Sequence, residues 1–422
     1  MFKIGVFLAL FFVAAAGFSF FDRSEDKQQR VTIKVMPSLQ ANHQAFEAFT
    51  YLNELRNKSG MSTFLSNAKL EKSALSHASY LTYHDSIGHY QHLGKEGFTG
   101  IAPKDRVAKA GYKAGMSIEN VSNNAMGYKA SIDGLFAAIY HRFGFLDFQV
   151  NEIGIGMSQN SSDNSITAYV YNMGVYEIND LCERTSYSGA GAYSYNICVD
   201  KSFRIKESEF NAGYNACYKR NKKVVIYPYD EQDNVPPAFF DEMPDPLPNH
   251  RVSGFPISIQ FNPYFFKHVR LKRFELFLAG KKVEVAEIYD HISDINSLFK
   301  RNEFAIFPQE RLAWGSRYYV EVEYSVAGKN HQKEWSFTTR ELPSKAIMID
   351  KKKMQVKIDA SKSTILYFKP WHQNDILENI IFDTKLDIVF VDKNTIMITT
   401  VAKEGESFAL NVSGREITLL ID

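Results

Sequence analysis

With 422 residues and 45% hydrophobic content, the chain is too long for one core and too apolar to be disordered, so two or three globular domains are expected. Lysine and arginine (49) nearly balance aspartate and glutamate (48). No basic run is interleaved with aromatics along a phosphate-tracking path, which excludes nucleic acid as a partner.

Met1-Phe2-Lys3 followed by apolar Ile4 to Phe21, with small residues Ala14 to Gly17, has the plan of a secretory signal. The run is also about long enough to remain as an uncleaved anchor, so residues 1–21 are read as signal or anchor, and membrane contact is expected only through them if uncleaved. Residues 22–40 are polar and aperiodic, a tether.

A first helix is expected where Ala45, Ala48, Phe49, Leu52 and Leu55 share a face, stopped by Gly60. In a second, Leu70, Ala74, His77, Ala78 and Leu81 share a face, which makes His77 a buried, hydrogen-bonded core histidine. His84 to Gly100, with three histidines and four glycines, reads as an irregular loop in which His84 and His92 are solvated. Asp105 to Gly111 is a short helix, with Asp105 and Arg106 read as local structural residues. Gly127 to His141 is expected as one continuous helix, its Gly134, Ala137 and Ala138 forming a small-residue strip that leaves space beside His141. Glu152 to Met157 and Ser165 to Val175 alternate as a β-hairpin around Asn160 to Asn164.

Residues 178–227 form a polar, tyrosine-rich connector holding all three cysteines. Cys182 and Cys198 flank a glycine- and serine-rich loop and are a disulfide candidate in an oxidising compartment, with three buried thiols as the alternative. Prolines 228, 236, 237, 244, 246 and 248, with acidic residues between them, mark 228–250 as a linker. From there short alternating strands follow, including Ile257 to Phe261, Phe274 to Leu278, Phe304 to Phe307, Tyr318 to Tyr324 and Trp335 to Thr339, an antiparallel sandwich over 251–341. Strands Thr364 to Phe368, Leu386 to Val391, Thr395 to Thr399 and Ile417 to Ile421 make 342–422 a further small β-domain.

Taken together, Gly88-His89-Tyr90, Pro103 to Arg106, Ile118-Glu119-Asn120, Tyr140-His141-Arg142 and Asn151-Glu152-Ile153-Gly154-Ile155-Gly156 resemble the CAP superfamily of cysteine-rich secretory, antigen 5 and pathogenesis-related proteins, in its cysteine-poor bacterial form. The resemblance covers roughly Ala41 to Val175 and implies an α-β-α sandwich over 41–177, making the whole chain α+β. Leu312 to Tyr318 and the closing Trp335-Ser-Phe-Thr-Thr339 likewise resemble a bacterial immunoglobulin-like domain. In the CAP family two histidines and acidic residues converge on a cleft, which here implies His89, Glu119 and His141. A second family glutamate falls where this chain has Ala137 or Ala138, leaving Glu152 as a substitute from the strand. The same set suggests His89 and His141 as ligands of a divalent metal such as Zn2+; a polar network that binds nothing is the alternative.

The chain lacks G-x-S-x-G, H-E-x-x-H, phosphate-cradling and G-x-G-x-x-G motifs. The expected function is an exported protein, not an enzyme, that binds an unidentified ligand or protein in the bacterial envelope or outside the cell. A metal-assisted hydrolase of peptide or cell-wall substrates is the alternative.

Overall fold

The computed structural model describes residues 37–422. The signal or anchor over 1–21 and most of the tether lie outside them. Among the described residues no helix is long and apolar enough to cross a membrane.

The N-terminal third has three layers. Helix α1 (Ala41–Ser59) ends at Gly60, whose φ of 107° is the left-handed geometry glycine adopts freely. A two-residue strand β1 (Leu65–Ser66) leads to α2 (Ala68–Tyr83), whose first turn is capped by the Asn67 side chain accepting from Lys69 N and Leu70 N. Then come α3 (Pro103–Lys109), β2 (Ile118–Asn123), α4 (Tyr128–Ala137), α5 (Ile139–Phe145), β3 (Glu152–Gln159) and β4 (Thr167–Gly174). The sheet order is β1-β3-β4-β2, with only β1 parallel to its neighbour.

Strand alternation sorts side chains between the two helical layers. Ala168 and Val170 of β4 pack with Ala74, Ala78 and Leu81 of α2. The intervening Tyr169 and Tyr171 point the other way, bonding Gln44 of α1 (2.8 Å) and Ser131 of α4 (2.9 Å). In β3, Gly154 and Gly156 lie against α2 so closely that an added Cβ would sit 1.9 Å from Glu71 N or 2.2 Å from Leu75 N. No other residue type leaves that room.

The expected helix from Gly127 to His141 is broken. Ala138 is extended (φ −78°, ψ 113°), ending α4 and starting α5, so His141 does not stand in helical register with Gly134 and Ala137. The connector is ordered too: α6 (Tyr176–Glu183) and α7 (Glu207–Lys219) pack together. Cys182 is bonded to Cys198, and Cys217 is a buried free thiol.

Nor do residues 228–250 behave as a linker, and the end of the connector just before them is a strand. Val224–Tyr227 pairs antiparallel with Ile257–Phe261, completing a four-stranded sheet with Glu303–Pro308 and Val285–Tyr289. Gln232–Val235 pairs parallel with Lys329–Thr339, extending the five-stranded sheet that faces it. The span holds Phe239 and Leu247 buried, and they pack with Ile139 and Phe143 of α5 and with Tyr289, Phe299 and Phe307 of the sandwich. Burying such side chains in a strap stabilises more than solvating them, by about 2 kcal/mol each. One continuous core runs from Leu52 and Phe136 to Phe261 and Trp335, so the three-layer unit and the sandwich share an interior. Arg142 of α5 sits in it fully buried, donating to Phe136 O (2.6 Å), Pro256 O (2.8 Å) and Ser258 Oγ (3.1 Å), between the rings of Tyr227 and Phe255.

The C-terminal 80 or so residues form two four-stranded sheets around their own core of Ile349, Leu366, Phe368, Leu410 and Leu419. The whole is α+β: helices and sheet first, strands thereafter.

Candidate functional site

Glu119 is the buried centre of the site. On β2, directly opposite Asn172 of β4, its side chain is 1% exposed. Its carboxylate accepts from His89 Nδ1 (3.0 Å) and from Arg106 Nη2 at both oxygens (2.7 Å each). Asn172, with its amide turned to suit both neighbours, donates to Oε2 (3.0 Å) and accepts from Ser73 Oγ and Ala74 N (3.1 Å each). Burial works against ionisation here, yet His89 and Arg106 outweigh it and hold the Glu119 carboxyl below its usual range.

Arg106 is therefore more than a local anchor. From α3 its buried guanidinium neutralises Glu119 and also donates to His89 O (2.9 Å) and Ile101 O (3.3 Å), pinning both ends of the glycine-rich loop. The only hint was an arginine just before Val107 on the helix face that turns inward. Asp105 does act locally, accepting from Ala102 N (3.0 Å) at the start of α3. His77 is fully buried, its Nδ1 meeting Gln91 Nε2 (3.0 Å) and its Nε2 meeting Gly88 O (3.1 Å). The carbonyl partner requires the neutral tautomer with the proton on Nε2, and burial pushes its pKa down to about 4. His84 bonds Glu96 O (2.9 Å) at the surface, and His92 is exposed.

His89 and His141 come together from segments 52 residues apart, their rings nearly parallel with centroids 6.4 Å apart. They are 35% and 17% exposed at the side chain. His141 Nδ1 meets a carboxylate as well, but one that sequence reasoning missed: Glu242 Oε2, at 3.0 Å. Glu242 stands in the strap, its side chain 2% exposed, and also accepts from Tyr140 N (3.2 and 3.3 Å). Tyr140 is tied in turn to Asp294 and Asn296 of the sandwich. The signal that could have found Glu242 was its setting, Phe239-Phe240-Asp-Glu242 followed by Leu247, too apolar for a solvated linker.

Glu152 does not join these residues. Its carboxylate is taken up by Tyr112 Oη (2.5 Å) and Asn67 Nδ2 (2.9 Å), none of which touches His89, Glu119 or His141, and burial raises its pKa. It serves instead as a buried tie between the ends of α2, β3 and the Tyr112 segment.

The two imidazoles are thus equivalent in chemistry. Nδ1 of each lies against a carboxylate, and neither Nε2 has a hydrogen-bond partner among the described residues. Among those residues no group of three or more His, Cys, Asp or Glu side chains is placed to hold a metal ion. Glu119 is saturated by Arg106, His89 and Asn172, leaving two nitrogen donors, fewer than the three or four protein ligands usual for zinc. Two nitrogens alone fall short of a closed structural centre.

Residues 49–173 match the model of the cysteine-rich secretory protein family, and this part of the chain is a CAP domain. Among solved structures, similarity is found to an outer surface protein of Borrelia burgdorferi, at 17% identity and TM-score 0.29 over 32% of this chain and 96% of that one. An extracellular SCP-domain protein of Bacillus anthracis matches at 16% identity and TM-score 0.28, over 32% of this chain and 41% of its own. A cysteine-rich secretory protein of Staphylococcus aureus matches at 15% and 0.25, over 33% and 40%. The chain thus spans about two fifths of the length of the latter two. No curated protein matches.

Proposed function

We propose that this is an exported CAP-domain protein that binds a ligand or partner of the bacterial envelope or extracellular space at His89 and His141, presented on an immunoglobulin-like sandwich and a second β-domain. The observation that carries it is the symmetric pair of carboxylate-backed imidazoles, Glu119 to His89 and Glu242 to His141, each leaving Nε2 free. A histidine that binds a metal or a polar ligand through one nitrogen is commonly held in this way through the other. Export is supported by the Cys182–Cys198 bond, which persists only in an oxidising compartment, and by the secretory family that the CAP domain matches.

A divalent ion such as Zn2+ would be held by His89 and His141, with Glu119 and Glu242 orienting them. Calorimetric titration of the full chain with Zn2+ near neutral pH is expected to show one site, lost in His89→Ala and in His141→Ala. Glu242→Gln should weaken it by about 10- to 100-fold. No binding to the wild-type protein would remove the metal from this reading. Unfolding of both histidine variants would reduce the pair to a structural network.

A further inference from the structure

A second cleft, of about 480 Å³, lies between the sandwich and the C-terminal domain, far along the chain from the histidine pair. Its chemistry is different. On one side stands Trp371, 48% exposed, with the guanidinium carbon of Arg415 3.8 Å from its ring centroid. Because Arg415 covers one face of the indole, the exposed area falls on the remaining face and edge. Trp371 is held in place: its backbone N donates to Asp375 Oδ2 (2.8 Å) and its Nε1 to Asp350 O (3.4 Å), while Arg415 is itself anchored by Asp375 and by Lys369 O (3.1 Å).

On the other side, Arg311 of the sandwich makes a bidentate pair with Asp392 of the C-terminal domain (3.1 and 2.7 Å). Its guanidinium lies 4.9 Å from the ring centroids of Trp314 and Tyr367. This pairing joins the two domains across the cleft, so the cleft is formed before any ligand arrives. The Arg311 side chain is 3% exposed, yet its Nε is buried with no partner. Glu310, Lys369 and Gln373 line the opening, and among the described residues their side chains make no hydrogen bond or ion pair.

A rigid, half-exposed aromatic face bordered by an uncommitted carboxylate, ammonium and amide suits a ligand with an apolar face and a rim of hydroxyls. That is a pyranose. The border carries both signs of charge, with Glu284 adding a second carboxylate, so it does not suit a sulfated or otherwise polyanionic chain. The volume lies within the range of small-molecule sites. We propose that this cleft binds a neutral oligosaccharide, one sugar ring stacked on Trp371 and its hydroxyls bonded by Glu310, Lys369 and Gln373.

The test is calorimetric titration of the full chain with chitotetraose and with cellotetraose, followed in parallel by tryptophan fluorescence. At least one of the two should bind, with a blue shift of the emission. Trp371→Ala should lower the affinity at least tenfold and Trp371→Tyr should keep most of it. Since Trp371→Ala also uncovers Arg415, Glu310→Gln, an isosteric change in a side chain that supports nothing else, should weaken binding several-fold with an unchanged melting temperature. His89→Ala should bind the sugar like the wild type, separating this cleft from the histidine pair. The idea fails if neither glycan binds the wild type, if Trp371→Ala binds as tightly, if His89→Ala abolishes binding, or if heparin binds in preference to both.

Discussion

The two walls of the histidine pair do the same job by different means. His89 is backed by Glu119, a carboxylate neighbouring in the same domain, neutralised by a buried arginine and cross-braced by Asn172 on the adjacent strand. His141 is backed by Glu242, a carboxylate 101 residues away in a strap that the sandwich positions, with no arginine or lysine bonded to it among the described residues. Every residue of the first wall lies in the three-layer unit. The other takes its carboxylate from the strap packed between α5 and the sandwich, so the histidine pair draws on two domains.

The contrast is broken most severely by Arg106→Leu. It leaves Glu119 buried without its counter-charge, and loss of one partner from a buried pair costs about 3–5 kcal/mol. Chemical denaturation should register that loss, whereas a change below 1 kcal/mol would mean that His89 and Asn172 suffice to hold the carboxylate.

Next in size is the covalent support of the first wall. Cys198 pairs with Ala114, just before the strand that carries Glu119, and is tied to Cys182 with a sequence separation of 16. Cys182→Ser with Cys198→Ser should therefore lower stability by about 3 kcal/mol. Mass spectrometry of unreduced protein should find one free thiol, Cys217; three would remove the bond from the account.

A pH-confined effect follows from His77 and Glu119 together. His77 titrates near 4 when folded and about 6.5 when unfolded, so the unfolded chain binds the extra proton between those values. Its contribution is complete above about pH 6.5 and is lost as pH falls toward 4. Glu119, its folded pKa depressed, adds stability present above the ordinary glutamate value and lost on further acidification. Melting temperature should drop along this course, and His77→Gln should flatten the segment between pH 6.5 and 4. An unchanged slope in that variant would show that other groups carry it.

The smallest change sharpens the comparison. Glu242→Gln keeps an acceptor for His141 and Tyr140, so it should cost only about 1 kcal/mol, while Glu119→Gln, facing Arg106, should cost more. Equal losses in thermal denaturation would contradict the difference between the walls.

The helix stripes of α1 and α2, the β3-β4 hairpin and the sandwich strands were legible in the chain, because each rests on a local period. His89, Glu119 and His141 were singled out by resemblance to the CAP family, not by their spacing. The break at Ala138 was not legible, because its cause is the packing of Phe143 and Arg142 into the sandwich, which overrides a continuous apolar stripe. Arg106 read only as a local structural residue, since burial of its charge depends on a carboxylate arriving from another strand. The strap was misread for the same reason. Prolines and acids suggest solvent only until Phe239 and Leu247 find α5, and Glu242, not Glu152, meets the histidine pair because side-chain partners are chosen by distance in space, which no spacing along the chain encodes.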